Sequence, residues 1–312
     1  MAVEADTSVT GSAPRKRRAA RLDWPDRITL GFMTGVPVLL VVSLVLIPAI
    51  ATVLLSFTRW DGIGVSNIQW IGLDNYREIF EIDKSFGPAW HHNVIWFLFL
   101  FLLPTPFGLF LAYLLDKNIR FSRIYQSLFF LPVVLSLAII GFIWELIYAP
   151  DEGLINQLFH ITSYDSGFID WLGDSSINIW AVLVATGWRH AGYIMILYLA
   201  GLKSVDSSQR EAAAIDGASE WQTFRAVVFP ALRPITTVVF VVTVIEALRA
   251  FDLAYVINKG QNGLELLSIL LTQNIVGEAS RIGYGSAYGT ILLVIAVVPI
   301  TIFVAGTFRE ER

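Results

Sequence analysis

The 312-residue chain is 55% apolar and only 15% charged, with a mean hydropathy of +0.63. Soluble chains carry about 25% charged residues, so this one has too few charges to coat a globule of its length, and its composition fits a bilayer. A net charge of −4 argues against nucleic acid as a partner, the lack of cysteine excludes disulfides and thiolate chemistry, and four histidines (His91, His92, His160, His190) leave little for a metal centre.

Residues 1–22 are polar, rich in Ala, Ser and Arg, and without periodicity; they read as disordered, and the basic tail is bounded at residue 28. Its Arg15-Lys16-Arg17-Arg18 cluster reads as a topology signal. Residues 29–312 form the transmembrane domain. A spanning helix needs about 20 mostly apolar residues. The first span covers 30–57, with an uncharged stretch at Val36–Phe57 too long for a cleaved leader. An outer loop, 58–92, holds Trp60, Trp70 and Trp90 at the interface. Spans two and three follow at 93–115 and 124–148. Span four, 177–202, is interrupted by Arg189 and His190, and span five, 234–257, meets Glu246, Arg249 and Asp252. An intramembrane charge costs about 2.5–3.5 kcal/mol on insertion scales, which a dozen aliphatic side chains offset. Span six is 282–308. The predicted fold class is therefore an all-α membrane protein with six transmembrane helices.

Lysine and arginine placement supports this count. Arg15, Lys16, Arg17, Arg18, Arg21, Arg27, Lys117, Arg120, Arg123, Lys203, Arg210, Arg225, Arg233, Arg309 and Arg312 fall on one side; Arg59, Arg77, Lys84, Lys259 and Arg281 fall on the other. Fifteen against five places both termini in the cytoplasm. Removing one span would flip every later loop.

Residues 203–233, between spans four and five, are too long for a turn and amphipathic. Ser207 or Ser208 can cap a helix through Ala214, Gly217 can end it at positive φ, a second helix covers about Ser219–Val228, and Pro230 stops it. The small patch Ala212, Ala213, Ala214 suits close docking into a protein groove better than rest on lipid. In span five, Glu246, Arg249 and Asp252 recur at i, i+3, i+6 and so share a helical stripe. With Glu145, Trp188, Arg189 and Tyr193 they are candidates for a polar substrate path. Structural pairing, for example of Arg249 with Glu246 or Asp252, competes with that reading.

Glu211-Ala212-Ala213, then Gly217, Val227, Phe229 and Pro230, resembles the EAA loop of ABC importer permeases in residue type and spacing. Asp216, Phe224, Thr58-Arg59-Trp60, Gly72-Leu73-Asp74-Asn75-Tyr76 and Phe251-Asp252 are similar to the carbohydrate-importer branch, the maltose and glycerol-phosphate type. The likeness covers about residues 30–310, with Lys259-Gly260-Gln261-Asn262-Gly263 where that branch has Gly-Gly-Pro. It implies a permease subunit in a bacterial cell (inner or plasma) membrane. The implied partners are a second permease (a heterodimer), two cytoplasmic ATPase subunits, an extracytoplasmic substrate-binding protein and membrane lipid. It also implies ATPase coupling through Glu211, Ala212, Ala213, Asp216, Gly217, Val227, Phe229 and Pro230. No cofactor is expected on this chain: it has no G-x4-G-K-[ST] phosphate loop, so ATP and Mg belong to the partner ATPase. The expected cargo is a sugar or sugar derivative, with glycerophosphodiesters and other polyols open. An ion-driven secondary transporter and a membrane-embedded enzyme are the rival readings; the first leaves the 203–233 loop unexplained, and the second lacks a nucleophile or metal site.

Overall fold

The computed structural model describes residues 23–117, 119–161, 169–277 and 280–310; the expected tail at 1–22 lies outside them. The chain divides into two units, residues 1–51 and 52–312. The first holds most of helix α1, Trp24–Leu55. It starts six residues ahead of the expected span, so 24–28 are helix and not tail. Asp23 is extended, Pro25 stands where a missing N–H costs no bond, and Asp26 complements the positive end of the first turn. No residue of Trp24–Val41 is buried, and the segment is apolar all round apart from its first turn. A wide π-turn at Val42–Leu46 precedes Pro48. A proline ring collides with the carbonyl four residues back in a regular helix, and a wide turn displaces that carbonyl.

The second unit opens with a small antiparallel pair, β1 (Thr58–Arg59) and β2 (Gln69–Trp70). Helix α2 (Phe86–Leu102) begins seven residues before the expected span two. It breaks at Leu103, ahead of Pro104, and α3 (Pro104–Asp116) completes a 31-residue span. Span three is not one helix. It comprises α4 (Ser122–Val134) and α5 (Leu137–Ile147), bent by 100° at the extended Leu135 and Ser136. Ser136 caps α5 by accepting from the Ile139 N–H at 3.3 Å, so the break satisfies its own backbone. Helix α6 (Asn178–Ser204) is span four. Span five is also broken: α7 (Arg233–Leu248) stops before Arg249 and α8 (Asp252–Asn258) resumes after Phe251. Two further helices close the unit: α9 (Leu267–Val276), which the sequence reading left as loop, and α10 (Ile282–Glu310), span six. Among the described residues five helices are long and apolar enough to cross a membrane, or six if the bent pair is one span.

Helix α6 forms the axis of this unit. A Cβ on Gly108 of α3 would lie 2.8 Å from the Ala191 carbonyl oxygen, and one on Gly192 would lie 2.1 Å from the Phe129 carbonyl oxygen of α4. Only backbones without side chains approach this closely, and in lipid such packing replaces the missing hydrophobic force between helices. Two apolar clusters lie along α6. One gathers Trp96, Leu183, Ala254 and Leu266; the other gathers Leu115, Met195, Tyr198, Leu202 and Leu232 and carries the 203–233 loop.

Candidate functional site

The loop after α6 contains a helix at Ser207–Ile215. Its cap is Asp206, not Ser207 or Ser208: the Asp206 carboxylate accepts from the Ser208 N–H at 2.9 Å. That backbone bond, with a second from the Ser208 hydroxyl, holds Asp206 below its ordinary pKa. A carboxylate beats a hydroxyl there because it also faces the positive end of the helix. Gly217 has φ of +79°. Ala218 N–H donates to the Ala213 carbonyl at 3.0 Å and Gly217 N–H to the Ala214 carbonyl at 3.1 Å, the paired bonds of a Schellman ending.

A second helix starts at Glu220 behind a capping box between Ser219 and Gln222. It widens into a π-turn at Phe224–Val228 and continues through Phe229–Ala231. Pro230 therefore does not stop the helix as expected. Phe229 N–H reaches back five residues to the Phe224 carbonyl, and four-residue bonding resumes when Leu232 donates to Val228 at 3.0 Å. The π-turn makes room for the ring, as it does before Pro48.

Three ties brace this helix pair. Arg210 Nη1 donates to Asp116 Oδ2 at 2.6 Å, and its Nη2 donates to the Leu202 carbonyl at 3.0 Å. Lys117 is bonded to Glu220, which raises the lysine pKa. Phe224 meets Tyr113 edge-on at 4.9 Å, and Val228 and Leu232 are buried beneath it. The opposite face is bare. Glu211 is exposed and makes no hydrogen bond or ion pair among the described residues. Ile215, one turn further along, is 86% exposed, and Trp221 is 68% exposed. Of the other EAA positions, Ala212, Asp216, Phe229 and Pro230 are exposed, while Ala213 and Val227 are half-buried.

The charges expected along one stripe of span five are divided by the break at Arg249–Phe251. Glu246 pairs with Arg189 of α6 at 3.5 Å, and Arg249 pairs with Asp252 at 3.6 Å. Glu145 is exposed and unpaired among the described residues. Tyr193 packs against the cluster of Leu115, Met195 and Leu202. Trp188 meets Trp144 edge-on at 5.9 Å, and the cavity of about 430 Å³ that it lines is otherwise apolar, bounded by Phe99, Leu103, Phe107, Phe129 and Val184. Of the seven expected path residues, four form two ion pairs, Trp188 meets Trp144, Tyr193 packs against an apolar cluster and Glu145 is unpaired among the described residues.

Two buried side chains hold the broken helices: Asn93, to which the sequence reading gave no role, and His190, which it noted only as an interruption of span four. Asn93 is 3% exposed. Its amide nitrogen donates to the Ala247 carbonyl at 3.3 Å and its oxygen accepts from the Leu267 N–H at 3.0 Å, joining α2, the end of α7 and the start of α9. His190 Nε2 lies 3.4 Å from Thr105 Oγ1 and 3.3 Å from Thr243 Oγ1. Both hydroxyls also reach helix carbonyls at 2.8 Å; when they donate there, each oxygen accepts from Nε2–H in the tautomer that carries the hydrogen on Nε2.

Residues 104–309 match the family of binding-protein-dependent transport system inner membrane components. The chain belongs to that family. The permease is 33% identical over 249 residues to the xylose/arabinose import permease protein of Haloferax volcanii (78% of this chain, 76% of the relative). It is 29% identical over 288 residues to the trehalose/maltose transport system permease protein of Thermococcus litoralis (90% and 95%). Its fold matches a chain of a bacterial ABC transporter that imports alginate, with a TM-score of 0.77 over 92% of this permease and 97% of that chain at 19% identity. The permease is thus an integral membrane subunit of an ABC importer, a transport component with carbohydrate-permease relatives.

Proposed function

We propose that this permease forms half of the translocation path of an ATP-driven sugar importer, and that residues 203–233 are the handle through which a separate ATPase drives alternating access. The observation that carries this reading is the two-faced loop. One face is tied to α3 and α6 by Arg210, Lys117 and Phe224; the other exposes Glu211, which has no partner among the described residues, Ile215, and the outer side of Trp221, whose ring stacks on Phe224 at 5.7 Å. A force applied to the free face passes into the spans without slack. Glu211 pairs with a basic residue in the ATPase groove, Ala212 and Ala213 allow close approach, and Asp216 and Gly217 shape the turn. Val227, Phe229 and Pro230 join the handle to span five. Six spans, both termini inside, and docking of an extracytoplasmic binding protein and a second permease complete the assembly. ATP and Mg are held by the ATPase subunits. The sugar assignment is supported by the xylose/arabinose and trehalose/maltose relatives, and we assign Arg189 and Glu246, paired at 3.5 Å, to the border of the path.

Glu211→Ala and Gly217→Pro test the handle. The first removes the free carboxylate; the second fixes φ near −65° and deletes the N–H that bonds Ala214. Uptake of labelled trehalose, maltose, xylose and arabinose is measured in membranes with normal subunit levels. Both variants lose transport while inserting normally; wild-type uptake by both refutes the handle.

A further inference from the structure

The outer segment between the first and second spans is bound to the start of span six by contacts that no transport role yet explains. Asn75, 4% exposed, donates both amide hydrogens, to the Ser56 and Thr58 carbonyls, each at 2.8 Å. Tyr76 OH donates to Ser56 Oγ at 2.7 Å. These bonds fold the segment on itself. Four contacts then fasten it to residues 281–288. Arg281 Nη2 reaches both carboxylate oxygens of Glu78, at 2.8 and 2.7 Å. Asp83 Oδ2 accepts from Tyr284 OH at 2.8 Å and from Tyr288 OH at 2.7 Å. Gly283 N–H donates to the Trp60 carbonyl at 3.2 Å, and a Cβ on Gly283 would lie only 1.9 Å from the Thr58 carbonyl oxygen. Beneath these ties, Ile79, Ala89, Ala287 and Tyr288 are all fully buried in one cluster.

The tied groups differ in kind: an ion pair, two phenol-to-carboxylate bonds sharing one oxygen, a backbone bond and a packed apolar floor. Opening the segment would have to break them together, because each keeps the others in register. The Glu78 and Asp83 bonds go to carboxylates, and hydrogen bonds to a charged group are shorter and stronger than those between neutral groups.

We propose that residues 56–86 and the first two turns of span six (282–288) are a single rigid strap that stays closed throughout transport. Span six and the outer loop then move as one body, and the motion that admits cargo passes through other joints, such as the breaks at Leu135–Ser136 and Arg249–Phe251. This goes beyond the proposed function, since it concerns which parts move and not what is carried.

The chain has no cysteine, so an introduced pair is unique in this subunit. Glu78→Cys with Arg281→Cys is placed in the full complex, and its reaction with a short bifunctional methanethiosulfonate is timed in the resting and the ADP–vanadate-trapped states. Rates within twofold of each other, with ATP hydrolysis by the crosslinked complex at least half that of the reduced complex, are the expected result. A greater than twofold loss of crosslinking on trapping, or a larger loss of hydrolysis that a reductant restores, overturns the strap. Where that variant does not assemble, Asp83→Cys with Tyr284→Cys reads the same motion through a different tie. Failure to recover any ATPase with the wild-type subunit would instead strike the proposed function.

Discussion

Replacing Gly217 by alanine isolates the geometry of the handle from its chemistry. Nothing lies within 4 Å of a Cβ at this position, so a methyl group meets no neighbour and the whole effect is conformational. At φ of +79° an L-residue with a Cβ costs about 1–2 kcal/mol. At RT of about 0.6 kcal/mol this shifts the equilibrium between closed and open turn by a factor of about 5 to 30. The readout is local. The amides of residues 217 and 218, bonded to the Ala214 and Ala213 carbonyls, should exchange with deuterium 5 to 30 times faster in the alanine variant. Asn, which tolerates the left-handed region better, should fall between alanine and glycine. Uptake should follow the same order, because a turn that opens lets force dissipate before it reaches α6 and α7. Unchanged amide protection in the alanine variant would refute the assigned strain, and unchanged uptake despite lost protection would refute the lever.

The other expectations concern the membrane core and the outer strap. Asn93→Leu leaves the Ala247 carbonyl and the Leu267 N–H buried without partners; at about 1–3 kcal/mol each, the loss should appear as a clear fall in the melting temperature of the purified complex, and an unchanged Tm would count against the tie. Glu246→Leu strands Arg189 and should cost about 2 kcal/mol, less than the figure for a fully buried pair because both side chains keep some exposure; the double variant with Arg189→Leu should recover folded protein, and failure to recover would show that the pair does more than neutralise itself. Burial opposes ionisation of Asp83, but bonds from Tyr288, the Ser85 N–H and Tyr284 outweigh it and hold the carboxyl below its usual range. That contribution is full above the ordinary aspartate pKa of about 4 and is lost as pH falls through the lower folded value, so the Ser85 amide should stay protected at pH 5 and exchange faster near pH 3 after correction for intrinsic rates.

The six apolar stretches and the 203–233 loop were legible because each is a local signal. Hydropathy needs only a window of about 20 residues, and the Gly217 turn is written in the backbone preference of one residue. The cap at Asp206 was within reach too: an aspartate precedes the two serines, and a carboxylate at a helix start is the stronger acceptor. Pro230 misled because proline normally ends a helix, and nothing in composition announces the π-turn that accommodates it. The pattern at Pro48, where Val42–Leu46 widen two residues ahead of the proline, is the same device, so the pair is a feature of this chain that structure alone reveals.

The breaks in spans three and five were illegible for a different reason. A helix can be interrupted within a membrane only where the freed backbone groups find partners inside the protein, and those partners are distant in sequence: Asn93 serves Ala247 from 154 residues away, and Ser268 donates to the Ala250 carbonyl at 3.2 Å. A periodicity argument therefore drew Glu246, Arg249 and Asp252 on one stripe when the chain turns between them. The break alters the meaning of the charges. On an unbroken helix they would form a polar ladder open to cargo; divided, Glu246 is claimed by Arg189 and Asp252 by Arg249, so each arginine sits beside a carboxylate. The proposed sugar cargo, which calls for hydrogen-bonding groups and not net charge, fits a core in which four of the five charges cancel in pairs and Glu145 stays unpaired among the described residues.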